Sequence, residues 1–243
     1  MKTTVTAIMQ ARLGSSRLPG KVLLKVGETT FLEHAFSRLS KSTTVDHAVI
    51  ATTEEAQDDK IARFCEAQNW AYTRGSEQDV LDRYYQTALQ FPADIIVRVT
   101  SDCPLLDPDL IDEVVECLAQ DFPRTHYASN VLPTRSFPRG LDVEAFTFSA
   151  LETAWKEAKE TTQREHVTPF LYQNPERFQN ASISFPEDHS DHRWTLDTPE
   201  DRDVLSQILT LQPNPVPWKD ILKLAEKHPE WLAHNQHIEQ KDL

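Results

Sequence analysis

Gln10-Ala11-Arg12-Leu13-Gly14-Ser15-Ser16-Arg17-Leu18-Pro19-Gly20-Lys21 is the stretch on which the reading of this chain turns. It follows a short apolar run at residues 5–9 that predicts an opening β-strand. The twelve residues carry three cations, two glycines, two serine hydroxyls and a proline. A polyphosphate needs fixed backbone N–H donors and cations that can meet several oxygens at once. Arg12 and Arg17 offer planar forks and Lys21 a point charge, while Gly14 and Gly20 let the backbone approach closely. The pattern is not a Walker A loop, because Gly14 stands one residue too far from Gly20-Lys21 and Val22 occupies the Ser/Thr position. The plainer alternative is a solvated basic turn.

Outward from this loop, β-rich runs alternate with helical patterns. Helices are predicted at 31–39, with Thr30 and Glu33 as a capping box, at 58–67, and at 80–89 with Ser76 and Asp79 at its start. Another begins at Asp107-Pro108. Between them, strands are predicted at 48–52, 71–73 and 94–99. Such alternation implies a mostly parallel sheet flanked by helices, an α/β fold with its ligands beyond the carboxyl ends of the strands. The residues after Met9, Thr73 and Val99 should therefore converge. Residues 124–174 break the rhythm and read as a small inserted excursion over the sheet within one domain spanning 1–243, contributing acceptor contacts or a dimer surface. Strands at 181–185 and 194–196 are expected to rejoin the sheet. A helix follows at Thr198-Pro199-Glu200-Asp201, and a docked, end-frayed helix is expected from Lys227 onward.

The net charge of −13 over 243 residues argues against binding nucleic acid or an anionic membrane surface. It also makes the local cluster of cations informative. No apolar run approaches the roughly 20 residues that span a bilayer, and the opening apolar stretch is too short for a signal-peptide core. Three cysteines without a CxxC pair argue against a disulfide framework or zinc site and point to a reducing, cytoplasmic setting.

Two further motifs carry acid groups. Thr100-Ser101-Asp102-Cys103-Pro104 ends the 94–99 run, where a carboxylate could hold Mg²⁺ or simply cap a turn. In Leu196-Asp197-Thr198-Pro199-Glu200-Asp201, the residues Thr198, Pro199 and Asp201 satisfy a helix start, which leaves Asp197 free to face the crevice. Cys103 has no base paired with it in sequence, so it is not read as a nucleophile. Tyr84, Tyr85, Phe122 and Trp155 read as core, and Trp194, close to Asp197, as the one aromatic to watch.

Together these motifs resemble the cytidylyltransferases that make CMP-sugar acids, most closely the spore-coat polysaccharide branch. Arg74-Gly75-Ser76 with Asp79-Val80-Leu81-Asp82-Arg83-Tyr84, Arg139-Gly140-Leu141-Asp142-Val143-Glu144 and Arg164-Glu165-His166-Val167 add to the likeness, which spans roughly residues 5–205. The resemblance implies a Rossmann-like, GT-A-like nucleotidyltransferase fold, usually dimeric, and transfer of CMP from CTP to a sugar acid with release of pyrophosphate. It implies that Ala11, Arg12, Gly14, Ser15, Arg17 and Lys21 contact the triphosphate and that Asp102 and Asp197 bind Mg²⁺. Arg12 and Lys21 would share in catalysis with these aspartates, and the turn Arg74-Gly75-Ser76 to Asp79 would lie beside the base and ribose. Two departures from the better-known branches, Thr100-Ser101 before Asp102 and Val22 after Lys21, leave the acceptor open. Arg139, Asp142, Glu144, Arg164, His166 and Arg193 are the acceptor-side candidates, with Glu165 read as completing a capping box with Thr162. A glycosyltransferase on a related fold is the alternative, although its usual D-x-D motif is missing at Asp102. A silent nucleotide-binding protein comes last.

Overall fold

Strand β1 (Val5–Gln10) shows why it lies at the centre of the molecule: Val5, Ala7 and Met9 feed one apolar cluster and Ile8 feeds another, so both faces are covered. In the computed structural model, which describes residues 3–212 and 215–239, β1 pairs in parallel with strands on both sides. A small hairpin, β2 (Lys25–Val26) and β3 (Thr29–Thr30), leads into α1 (Phe31–Leu39), whose Thr30–Glu33 capping box forms as predicted. Then come β4 (His47–Thr53), α2 (Asp59–Gln68), β5 (Tyr72–Gly75), α3 (Val80–Gln90), β6 (Ile95–Thr100) and α4 (Pro108–Ala119). Asp79 caps α3 and Asp107 caps α4, the latter ahead of its first-turn proline.

The rest of the chain runs through β7 (Thr125–Ser129), β8 (Glu144–Thr147), α5 (Phe148–Glu157), α6 (Thr161–His166), α7 (Pro169–Tyr172) and β9 (Gln179–Ser182). It ends with α8 (Pro199–Leu211), α9 (Trp218–Ala225) and α10 (Pro229–Asn235). The sheet order is β5-β4-β1-β6-β8-β7-β9, with β8 antiparallel to both of its neighbours and every other pairing parallel. Successive connections run outward from β1 to β4 and β5, then return to its other side at β6. This reversal opens a crevice beyond the carboxyl ends of β1 and β6.

The sheet holds two strands that the sequence pattern placed elsewhere. Residues 124–174 do not merely pass over it, since β7 and β8 are members and only the connection between them and the helices after β8 lie outside. Their short runs, THYAS and EAFT, lack the long β-branched signature of β6. Residues 194–196 form no strand; they are tied to loops instead, Trp194 N–H to Arg139 O at 2.7 Å and Leu196 N–H to Asp102 O at 2.8 Å. The strand expected at 181–185 lies slightly earlier, as β9. The frayed end expected after α10 falls on residues 240–243, outside the described residues.

Helices α1, α2 and α4 cover one face of the sheet, and α3, α5 and α7 the other. A third apolar cluster joins Trp194, Leu196, Trp218 and Trp231 to Val204, Leu205 and Ile208 of α8, docking α8–α10 beside the crevice. Among the described residues no helix is long and apolar enough to cross a membrane.

Candidate active site

The loop after β1 is shaped from below by Asp58, a fully buried carboxylate. Its Oδ1 accepts the Leu13 N–H at 2.7 Å, and its Oδ2 accepts the Thr53 hydroxyl at the end of β4. The Gly20 N–H then closes the loop on Leu13 O at 3.1 Å, with Gly20 at φ 69°, a left-handed conformation that costs glycine little. The turn that follows drives Lys21 inward. Sequence reading took Asp58 for the start of α2; its side chain makes no cap there, and it serves the phosphate-type loop instead.

Lys21 joins the distant motifs. Its Nζ lies 2.9 Å from Asp102 Oδ2, beyond β6, and 2.8 Å from Asp197 Oδ1, just before α8. Burial alone would lower the Lys21 pKa, but the two carboxylates outweigh it and raise the value. Burial likewise opposes ionisation of Asp102, yet Lys21 and the Thr100 hydroxyl hold its carboxyl below the usual range. Arg17 reaches Asp197 Oδ2 at 3.3 Å. Arg12 stands nearer the rim, 3.5 Å from Glu77. These groups line a cleft of about 250 Å³ together with Gln10, Ala11, Gly14, Ser15, Ser16, Arg83, Thr100, Ser101, Glu165 and His166. The cleft is thus cationic at its loop edge and carboxylate-bearing at its floor, a polarity suited to a metal-bound polyphosphate.

The setting of Cys103 disfavours its thiolate. Burial, then Asp102 and Asp142, push its thiol well above the ordinary range; its Sγ meets the Thr100 hydroxyl at 3.2 Å and donates to Asp102 Oδ1 at 3.8 Å. Burial lowers the His166 pKa, leaving a neutral imidazole near pH 7 at the cleft wall. It is the last residue of α6 and precedes Val167, which sits at φ 72°. Glu165 makes no capping box with Thr162; α6 begins after Glu160 without a side-chain cap, and Glu165 lines the cleft.

The structure redistributes several other candidates. Arg74, Gly75 and Ser76 border a neighbouring polar depression with Glu54, Glu55 and Glu77 rather than the main cleft. Arg74 is occupied by Asp59 at 2.7 Å and by the Thr53 and Glu55 carbonyls. Asp79 receives the Arg164 fork, with Nε at 3.0 Å from both of its oxygens, while Arg164 Nη1 donates to Trp155 O at 2.8 Å. That pair pins α6 to α3 and takes up the Arg164 charge. Glu144 is buried, accepting from Arg98, from the Tyr127 hydroxyl at 2.7 Å and from the Thr168 hydroxyl at 2.6 Å. Arg193, with a side chain 3% exposed, holds Asp197 and Asp201 from inside the protein. Asp142 takes a bidentate grip from Arg135 at 2.5 and 2.8 Å. Arg139 is half-buried, and its guanidinium makes no hydrogen bond or ion pair among the described residues; burial and its cationic neighbours Arg135 and Arg193 lower its pKa. Gly140 beside it sits at φ 98°, with its backbone pressed against Trp194 and Thr195.

Asp102, Asp197 and the loop cations therefore meet, as a shared cleft requires. The cytidylyltransferase family model matches residues 6–241. The chain belongs to the cytidylyltransferase family. It is accordingly an enzyme of the nucleotidyltransferase class. The enzyme is 40% identical over 243 residues to an uncharacterized protein of Methanocaldococcus jannaschii, covering 98% of this chain and 96% of that protein. It is 31% identical over 208 residues to a spore coat polysaccharide biosynthesis protein of Bacillus subtilis strain 168, covering 83% and 84%. A cytidylyltransferase from Leptospira borgpetersenii serovar Hardjo-bovis superposes with a TM-score of 0.91 at 34% identity, over 98% of this chain and all of that one.

The sequence pattern does not single out Asp58, Arg135 or Asn235, and Gln10 and Arg83 fall within its motifs without an assigned role. Asp58 reads as the first residue of the helix at 58–67, and Arg135 lies in a proline-rich stretch without periodicity. Asn235 belongs to a short C-terminal helix whose contact with residues 193 and 201 is wholly tertiary.

Proposed function

We propose that the enzyme transfers CMP from CTP to an acidic sugar acceptor, releasing pyrophosphate, with Mg²⁺ held by Asp102 and Asp197. The observation that carries this reading is the Lys21 ammonium lodged between those two carboxylates, at hydrogen-bonding distance from both. A site that already accommodates a cation between two carboxylate oxygens has the donor chemistry Mg²⁺ prefers. Among the described residues no cluster of three or more His, Cys, Asp or Glu side chains could ligate a metal, so phosphate and water would complete the coordination.

In this reading Arg12, Arg17 and Lys21 gather the triphosphate oxygens, and the loop backbone from Ala11 to Ser15 sets the α-phosphorus in line with the acceptor. The acceptor oxygen bonds to that phosphorus, the bond to the bridging oxygen breaks, and the hydroxyl proton passes to water. Bound Mg²⁺ supplies neutralisation of the charge that develops on the phosphate oxygens. Arg139 is the natural fork for the acceptor's carboxylate, because among the described residues its guanidinium forms no ion pair, the nearby Asp142 being held by Arg135. His166, neutral at the cleft wall, is placed to hydrogen-bond a hydroxyl. The B. subtilis relative, a spore coat polysaccharide biosynthesis protein, supports a product destined for cell-surface polysaccharide synthesis. A homodimer acting in the cytoplasm completes the proposal, and a sedimentation mass of one chain would refute the dimer.

Pyrophosphate release measured with each nucleoside triphosphate, with and without sugar acids, tests the reaction. Release confined to CTP plus an acid supports it. Turnover of a nucleotide sugar, or release with no preference for CTP, overturns it.

A further inference from the structure

We propose that Arg193 and Asn235 are positioning residues that hold Asp197 in its cation-facing orientation, so that the C-terminal helix α10 completes the active site. The inference rests on the reading of Asp197 as a cation ligand. From the cleft inward the groups stand in one file. Asp197 Oδ1 faces Lys21 at 2.8 Å, while its Oδ2 is taken by Arg193 Nη2 at 2.9 Å. Arg193 is in turn fixed by Asp201, with Nε 2.9 Å from Oδ1 and Nη2 3.2 Å from Oδ2. Asn235, 1% exposed, closes the file with its side-chain amide, which donates to Arg193 O at 2.9 Å and to Asp201 Oδ1 at 3.0 Å.

Neither Arg193 nor Asn235 can touch a ligand from where it lies. A carboxylate with one oxygen tied to a buried, doubly anchored guanidinium cannot rotate freely, so its other oxygen is presented to the cleft. Partners that orient a ligand in this way typically change metal affinity about 10- to 100-fold when removed. Local structure does not account for the arrangement. Asp201 already completes the α8 cap by accepting the Asp197 and Thr198 N–H groups, each at 3.0 Å, and that needs no arginine. Helix α10 has its own anchor, buried Trp231, whose Nε1 donates to Gln207 at 2.9 Å. Docking of α10 therefore does not depend on Asn235.

The test is a titration of the full-length enzyme with Mn²⁺ alone, following the free ion by electron paramagnetic resonance, with thermal unfolding of the same samples. Asn235→Ala and Arg193→Lys, the latter keeping the charge but losing the fork, are compared with the wild type. The expected result is Mn²⁺ half-saturation raised about 10-fold or more in both variants. A lowered unfolding midpoint with unchanged Mn²⁺ affinity, in whichever variant folds, shows a merely structural role and overturns the inference. If the wild type itself binds no Mn²⁺, the cation site falls, and the inference with it.

Discussion

Replacing Lys21 by Met removes the ammonium that two carboxylates share while keeping most of the side-chain volume. Breaking a buried pair by deleting one partner typically costs about 3–5 kcal/mol, because a charge is left without compensation. Two features reduce that here. Asp102's side chain is 28% exposed, so water takes up part of the loss, and Asp197 retains Arg17 and Arg193. A deficit of about 2–3 kcal/mol near pH 7.5 is therefore expected.

Its pH dependence has a definite sign. In the wild type the folded pKa of Asp102 is depressed, so its stabilisation is full above an unfolded value of about 3.9 and is lost as pH falls through the folded value. Lys21's raised pKa gives stabilisation that is full below about 10.4 and lost as pH rises through its folded value. Without Lys21, burial becomes the dominant influence on Asp102 and pushes its carboxyl up, so acid relieves the variant's strain. The stability gap between Lys21→Met and wild type should then narrow from pH 7.5 toward pH 5. Urea unfolding followed by tryptophan fluorescence at several pH values measures it. Added Mg²⁺ should stabilise the variant more than the wild type, since no ammonium competes for the carboxylates. A gap that is the same at pH 5 and pH 7.5, with equal Mg²⁺ responses, would refute this reasoning.

Asp58→Ala removes the acceptor for Leu13 N–H and Thr53 Oγ1 and should cost about 3–5 kcal/mol, two charge-assisted bonds lost together, and weaken CTP binding measured by calorimetry. Asp58→Asn should recover most of both, because an amide can accept from Leu13 and donate to Thr53. A Cβ on Gly140 would lie 2.5 Å from Trp194 C and O at φ 98°. Gly140→Ala should therefore lose more than about 3 kcal/mol in denaturant unfolding. Cys103, buried and with its thiol pushed well up, should resist alkylation of the native enzyme at pH 8 while the half-buried Cys117 reacts first; mass spectrometry of digests reads the order.

The parts legible in sequence are those whose signal is local. The loop from Gln10 to Lys21, the capping boxes at Thr30 and Thr198, the proline after Asp107 and the β-branched run ending at Thr100 all announce themselves within a few residues. Each appears in the structure within a residue or two of its expected bounds. Strands β7 and β8 escaped because each is short, and β8 runs against its neighbours, outside the β–helix–β rhythm.

Charged residues were harder to place. Arg164, Arg193 and Glu144 carry the residue types an acidic-sugar site needs, but each has its charge spent on a partner that only the fold supplies. Pairing of that kind depends on distances between segments far apart in the chain, about which spacing says nothing. Arg139 differs because the acid nearest its loop, Asp142, is gripped by Arg135, so among the described residues no carboxylate forms an ion pair with it.

The most direct measurement is a crystal structure with CTP and Mn²⁺, in which anomalous scattering locates the metal. Mn²⁺ coordinated by both Asp102 and Asp197, with the triphosphate lying along Arg12, Arg17 and a displaced Lys21, is the predicted result. Metal bound elsewhere, or a nucleotide seated in the depression beside Arg74 with the Asp102–Lys21–Asp197 bridge intact, would contradict it.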